Sequence, residues 1–154
     1  MLRPLMQPML AQASEKIPLP PRTGPGLAYE QKFDGHRLLV FTPAEPEGRV
    51  LLQTRRGTLV QDAFPDLVAA ARQLPVGLVL DGEILAWDPE AGALSFEGLQ
   101  RRAAAGARQA AALAQRLPAF YVAFDLLQAD GTELLALPTK SADGAWRSCS
   151  PAAP

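Results

Sequence analysis

Glu30-Gln31-Lys32-Phe33-Asp34-Gly35-His36-Arg37 sets a run of polar and charged residues directly against the apolar Leu38-Leu39-Val40-Phe41. Ionisable groups are costly to bury unpaired, so such a run at the end of an apolar strand marks a polar edge or cleft. Lys32 stands out because the chain has only three lysines, and the other two, Lys16 and Lys140, lie outside its strongly patterned middle. A lysine amine is a nucleophile only when neutral, and ordinary lysine is almost wholly protonated at neutral pH. Nucleophilic use therefore needs nearby cations and partial desolvation. Arg37 is a candidate neighbour if Gly35 permits a bend, and Gly35 also lets backbone approach a ligand closely.

Outward from this stretch, Leu27 to Phe41 and Val50 to Thr54 read as the two strands of a β-hairpin, joined through the Pro- and Gly-containing segment Thr42 to Gly48, with the polar stretch at its foot. Phe64, Leu67, Val68, Ala71 and Leu74 have helical spacing after Pro65, which predicts a helix over 65–74 that Pro75 ends. Val76 to Trp87 is apolar except for Asp81-Gly82-Glu83, which predicts two strands around a tight bend. Ser95 is placed to cap one long Ala-rich helix reaching Leu117, and Pro118 precedes an apolar strand, Phe120 to Leu127. Asp130-Gly131 then predicts a hairpin turn. Hairpin strands mixed with two helices indicate an α+β fold with largely antiparallel sheets and flanking helices. Residues 1–26 read as an extended lead-in rich in Pro and Gly, 27–138 as the patterned domain, and 139–154 as an unstructured tail.

Composition narrows the function classes. A chain of 154 residues that is 48% hydrophobic can bury one core, and its net charge of −1 gives no overall attraction to a polyanion. Cys149 and His36 are the only residues of their types, which argues against zinc clusters, internal disulfides and Cys/His catalytic pairs. No apolar run approaches the roughly 20 residues of a membrane span. A cytoplasmic protein with no membrane partner is expected.

Four polar or aromatic clusters interrupt the apolar strands: 30–37, Thr54-Arg55-Arg56-Gly57, Asp81-Gly82-Glu83 and Phe124-Asp125. The spacing Lys32-x-Asp34-Gly35-x-Arg37 resembles the nucleophile motif of the covalent nucleotidyltransferases, namely DNA ligases, RNA ligases and mRNA capping enzymes. The other three clusters follow in the order of the ligase branch. That resemblance implies that Lys32 is the catalytic residue that carries AMP, with Asp34 and Gly35 as structural members of its motif. It implies that Arg37 and Arg55 bind nucleotide, Arg55 on the ribose or phosphate side. Glu83 would meet the ribose hydroxyl or a metal, and Phe124 would stack on the purine. Glu30, two residues before the nucleophile, would accept a hydrogen bond from the amino group of adenine, which favours ATP over GTP. Pro8-Met9-Leu10-Ala11, Ser95-Phe96, Leu99-Gln100-Arg101-Arg102 and Asp130-Gly131 further resemble bacterial ligases of the end-joining type, so that the likeness covers residues 8–138.

The family implies ATP and Mg2+ as cofactors, nicked or broken double-stranded DNA as the substrate, a monomer, and end-joining proteins as partners. Its metal-binding Glu-Gly element, late lysine pair and OB-fold domain have no counterpart after Phe124. A truncated ligase with little or no nick sealing is expected, with an RNA ligase, or an inert or weakly ATP-binding fragment, as alternatives. Asp143 to Ser150, back-translated and read two bases later, resembles the charged helix that ligases carry at this place, so the tail is expected to be frameshifted. Single features also have plainer readings. Arg55 and Arg56 suit a solvated strand end, Glu83 suits a bend, and Phe124 in an apolar strand suits a core. His36 fills the free position of its motif. Arg101, Arg102, Arg108 and Arg116 suit a solvated helix face, the alternative being that they lie along DNA.

Overall fold

The computed structural model describes residues 1–10, 12–17, 19 and 30–136. Most of the expected lead-in between 18 and 29, and the tail with its frameshifted reading, lie outside the described residues.

The apolar run after the polar stretch forms β1, His36–Phe41, which pairs antiparallel with β2, Leu51–Thr54. The expected hairpin is present, but its first strand starts only at His36, because residues 30–35 run without regular structure. β1 is buried on both faces. Leu38 and Val40 join the main core, while Leu39 and Phe41 join a second cluster on the other side with Val79 and Leu127. A strand buried on both faces reads as a continuous apolar run, as this one does.

β3, Val79–Asp88, lies beside β1, and β5, Ala119–Ala129, lies on its other side; both pairings are antiparallel. The sheet order is β2-β1-β3-β5-β6, with β6 at Thr132–Glu133 and β4, Ala93–Leu94, paired to β3 off this path. The expected bend at Asp81-Gly82-Glu83 is replaced by continuous strand, with those three residues inside β3. Flanking strands supply ladder partners on both sides, and a bend there would leave backbone groups unpaired. Gly82 serves packing instead of turning: a Cβ at this position would lie 2.3 Å from the Val122 carbonyl oxygen and 2.6 Å from the Tyr121 ring. The Tyr121 hydroxyl crosses over it to donate to the Leu38 carbonyl at 3.0 Å. Burial, then the nearby Asp81 carboxylate, push that phenol well above its usual range.

The first helix, α1, spans Pro65–Ala71 and opens on Pro65 as expected, ending one turn earlier than its apolar spacing. The Ser95 hydroxyl caps α2, Phe96–Ala103, by accepting from the Gly98 N–H at 2.9 Å. The single long helix expected up to Leu117 is two helices, because the chain turns at 104–106 and restarts as α3, Ala107–Arg116, from Gly106 in an extended conformation. Arg102 explains the break. It is fully buried, donates from two nitrogens to Asp66 at 2.9 and 2.7 Å, and also donates to the Leu117 carbonyl at 2.7 Å. In one unbroken helix, residues 102 and 117 would stand about 22 Å apart. Among the four helix arginines, Arg102 is thus part of the core and not a solvated residue.

Leu67 of α1 and Leu99 of α2 pack on the main core beside Phe64, Leu80 and Ile84. The opposite sheet face is covered by Leu2 and Met6 of the N-terminal segment. Two buried glutamines hold that segment. Gln128 accepts from the Leu2 N–H at 2.6 Å, while Gln53 accepts from the Leu5 N–H and donates to the Met6 carbonyl at 2.7 Å. Residues 1–10, expected as part of a lead-in, therefore lie against the sheet. The Asp130-Gly131 turn joins β5 to β6 as predicted, with φ of 47° and 75°, the left-handed pair of a tight hairpin.

Candidate active site

Strand ends and the segment before β1 bring the sequence-distant clusters together around one open cleft of about 1650 Å³. Glu30, Lys32 and Gly35 line it from the segment before β1, and Arg37 from β1 itself. Arg55 lines it from the turn after β2, Glu83 from the middle of β3, and Phe124 from β5. Asp34 is exposed and does not line the cleft, so of the eight residues singled out in sequence it alone stands apart.

Local geometry explains these placements. Gly35 lies so close to β3 that a Cβ would sit 2.3 Å from the Ile84 carbonyl oxygen, so its smallness serves the contact between strands. The loop of residues 30–35 can thereby fold down on the sheet edge, with Glu30 and Lys32 exposed to the cleft. The Gly57 N–H donates to the Thr54 carbonyl at 2.9 Å, and Gly57 has φ of 89°, a value that favours glycine. That tight turn carries Arg55 and Arg56, both exposed, into the cleft wall.

Phe124 owes its position to an irregular register. Gly82 of β3 faces Ala123, but the preceding Asp81 faces Asp125, so Phe124 is the extra residue of a β-bulge. Bulges redirect side chains next to functional sites. The Phe124 ring is 40% exposed, and the reading of this residue as core does not hold.

Arg37 departs from the role of bare cation beside Lys32. Its guanidinium grips Asp81 through two hydrogen bonds, of 2.9 and 2.5 Å, and donates a third to the Met9 carbonyl. The hydrogen-bonded Asp81 carboxylate pushes Arg37 further toward its protonated form, against the opposing effect of burial. Arg37 Cζ lies 5.6 Å from the Phe124 ring centroid, within cation–π range. Among the described residues no ion pair includes Lys32. The charge of Arg37 is thus balanced by Asp81, and its geometric effect is to tie the lysine-bearing segment to β3 and to the aromatic wall.

Asp81, 3% exposed, was legible in sequence only as part of a bend; its pairing with Arg37 depends on strand register. Gln7, Pro8 and Leu10 also form part of the cleft wall, although they are far from the motifs in sequence. The His36 ring meets Phe96 edge-on at 5.5 Å, which joins the start of β1 to α2. Among the described residues no group of three or more His, Cys, Asp or Glu could hold a metal. Nor is any helix among them long and apolar enough to cross a membrane.

The family model for the ATP dependent DNA ligase domain matches residues 8–144. DNA ligase C2 of Mycolicibacterium smegmatis is 40% identical over 125 residues, which are 80% of this chain and 32% of that protein. A probable DNA ligase of Sorangium cellulosum is 37% identical over 148 residues, 96% of this chain and 27% of that protein. Among solved structures, a mycobacterial DNA ligase D complexed with ATP and MES superposes with a TM-score of 0.59 at 32% identity, over 77% of this chain and 35% of the other. The ligase domain of M. tuberculosis LigD gives 0.57 at 30% identity, with the same coverage. The chain therefore spans about a third of the length of DNA ligase C2 and of these solved chains.

Proposed function

This chain belongs to the ATP-dependent DNA ligase family, and from that premise we propose that its cleft binds ATP and that Lys32 takes AMP from it. The observation that carries this reading is the convergence of Glu30, Lys32, Arg37, Arg55, Glu83 and Phe124, drawn from four separate parts of the chain, on one cleft.

In the proposed reaction the neutral Nζ of Lys32 attacks the α-phosphorus of ATP. A P–N bond forms, the bond from the α-phosphorus to the bridging oxygen breaks, and pyrophosphate leaves with that electron pair. The nitrogen gives up its proton to solvent. Phe124 stacks on adenine, and Glu30 accepts from the exocyclic amino group. Arg55 and Arg37 stand on the ribose and phosphate side, with Arg37 held in place by Asp81. The cleft offers Glu83 as a carboxylate, which together with substrate phosphates would suit Mg2+, an ion held through one or two carboxylates and phosphate oxygens. Bound there, Mg2+ would neutralise charge building on the departing pyrophosphate.

For the whole protein we propose the joining of nicked or broken double-stranded DNA through lysine–AMP and then a DNA–adenylate, as a cytoplasmic, monomeric enzyme of end-joining repair. The relatives named above are DNA ligases, which favours DNA over RNA as the polymer. Incubation of the chain with α-labelled ATP and Mg2+ tests the first step. Label is expected on wild type and absent on Lys32→Ala; unlabelled wild type would overturn charging by this chain.

A further inference from the structure

Side chains alternate along the N-terminal segment. Leu2, Pro4, Met6 and Pro8 are partly or wholly buried, while Met1, Arg3, Leu5, Gln7 and Met9 are exposed. Apolar contacts alone would hold such a segment without fixing how far along the sheet it lies, and a slip by one residue would turn every side chain over. Two glutamines set that position. Gln128 accepts from the Leu2 N–H, and Gln53 bonds both the Leu5 N–H and the Met6 carbonyl. Gln53 is fully buried in β2, where an amide is costly unless its ends are bonded, and both ends are bonded to the segment. Its polarity therefore has its account in the register of residues 1–10. Leu5, whose N–H it holds, has φ of 74°, a conformation that leucine keeps only where its surroundings enforce it.

That register decides what reaches the cleft. Met6 and Met9 can lie at most about 10 Å apart, so Gln53 at one and Arg37 at the other pin the residues between them. Gln7, Pro8 and Leu10 are thereby placed in the cleft wall. The Arg37 guanidinium bonds the Met9 carbonyl and also lies 5.6 Å from the Phe124 ring centroid, which brings that carbonyl within about 10 Å of the ring. Leu10 is 61% exposed, so it has no place in the core. An exposed leucine in a cleft that also holds an aromatic ring offers apolar surface to a flat ligand group.

We propose that residues 7–10 form a second nucleotide-contacting wall of the Lys32 cleft, with Leu10 against the adenine beside Phe124 and Gln53 as the positioning residue that sets the register of the segment; the choice of adenine rests on the ATP reading of the cleft. A contact to the base is made equally before and during phosphoryl transfer, so this wall governs how tightly ATP binds and not how fast Lys32 reacts once ATP is bound.

The test uses the full chain with Mg2+, and reads the Kd of a fluorescent ATP analogue together with the rate of Lys32 labelling against ATP concentration. Leu10→Ser is expected to raise the Kd and the half-saturating ATP concentration about three- to tenfold, with the labelling rate at saturation within about twofold of wild type. Gln53→Met, which loses both hydrogen bonds at similar volume, is expected to weaken binding in the same way. Gln128→Met removes a buried amide of the same kind at the Leu2 end of the segment, and is expected to melt lower yet bind ATP as wild type does. Amide exchange at Gln7, Met9 and Leu10 is expected to slow when ATP saturates wild type, a response that a purely structural segment would not give. Unchanged Kd in Leu10→Ser and Gln53→Met, or exchange at those amides indifferent to ATP, overturns the proposal. Binding by Gln128→Met as weak as by Gln53→Met also overturns it, because lost stability then explains both. Wild type that binds ATP but takes no label sinks the charging step and leaves the wall standing, whereas wild type that binds no ATP overturns both.

Discussion

Phe124 shows how far one residue depends on its neighbours. An aromatic in an apolar strand is ordinarily core, yet the bulge in β5 leaves this ring 40% exposed against the cleft and 5.6 Å from Arg37. Stacking of a base on such a ring is worth about 1–3 kcal/mol. Phe124→Ala should therefore raise the Kd for ATP roughly 5- to 150-fold while the melting temperature changes little, since the ring contributes little to the core. Titration with a fluorescent ATP analogue, alongside thermal melting, checks both halves of that expectation. Gly35 and Gly82 carry the complementary lesson. Each is required by backbone of an adjacent strand at 2.3 Å from a would-be Cβ, and neither by a turn.

Among the elements, α2 and α3 are held in their broken arrangement by the Arg102–Asp66 pair, with Arg102 also set over the Phe64 ring at 5.0 Å. Burial opposes ionisation of Asp66, but the hydrogen bond from Arg102, that from the Ala119 N–H, and the Arg102 charge outweigh it and hold the carboxyl below its usual range. A depressed carboxylate contributes stability that is present above its unfolded value and lost as pH falls through the folded one. Wild type should thus lose stability as pH drops below about 4, where an unfolded Asp begins to protonate. Asp66→Asn leaves the buried guanidinium uncompensated and should cost about 3–5 kcal/mol near neutral pH, with a flatter profile below pH 4. Urea denaturation across pH 3 to 7 follows both; an Asp66→Asn profile parallel to wild type would refute the role of the pair.

At the scale of the molecule, one sheet separates two apolar layers, and the smaller one, around Leu39, Phe41, Val79 and Leu127, is closed by Leu2 and Met6. The same N-terminal segment reaches the cleft, where the Met9 carbonyl accepts from Arg37. Gln53, fully buried, fastens it through the Leu5 N–H and the Met6 carbonyl. Replacing Gln53 with Leu leaves both backbone groups without their partner, a loss of about 1–3 kcal/mol per unsatisfied group. The expected outcome is faster amide exchange at residues 2–9 and faster proteolysis there, with the β1–β3 amides still protected. Unchanged exchange over residues 2–9 would show that the segment is held by its apolar contacts alone.

The sequence by itself determined the α+β class, the β1/β2 hairpin, the Ser95 cap and the turn at Asp130-Gly131, because apolar runs, capping chemistry and turn residues are local properties of the chain, and the likeness of its motifs to a family pointed to Glu30, Lys32, Gly35, Arg37, Arg55, Glu83 and Phe124, which line the cleft. Tertiary structure alone decided the rest. Asp81-Gly82-Glu83 looked like a bend because charge and glycine favour one locally, and became mid-strand because β1 and β5 flank it with hydrogen-bond partners and Arg37. The Ala-rich run from 96 to 116 has the propensity for one helix, but the bonds of Arg102 to Asp66 and Leu117 outweigh it and break it into two. Register, burial and the pairing of distant charges are set by contacts between residues far apart in the chain, and single-residue patterns carry no record of them.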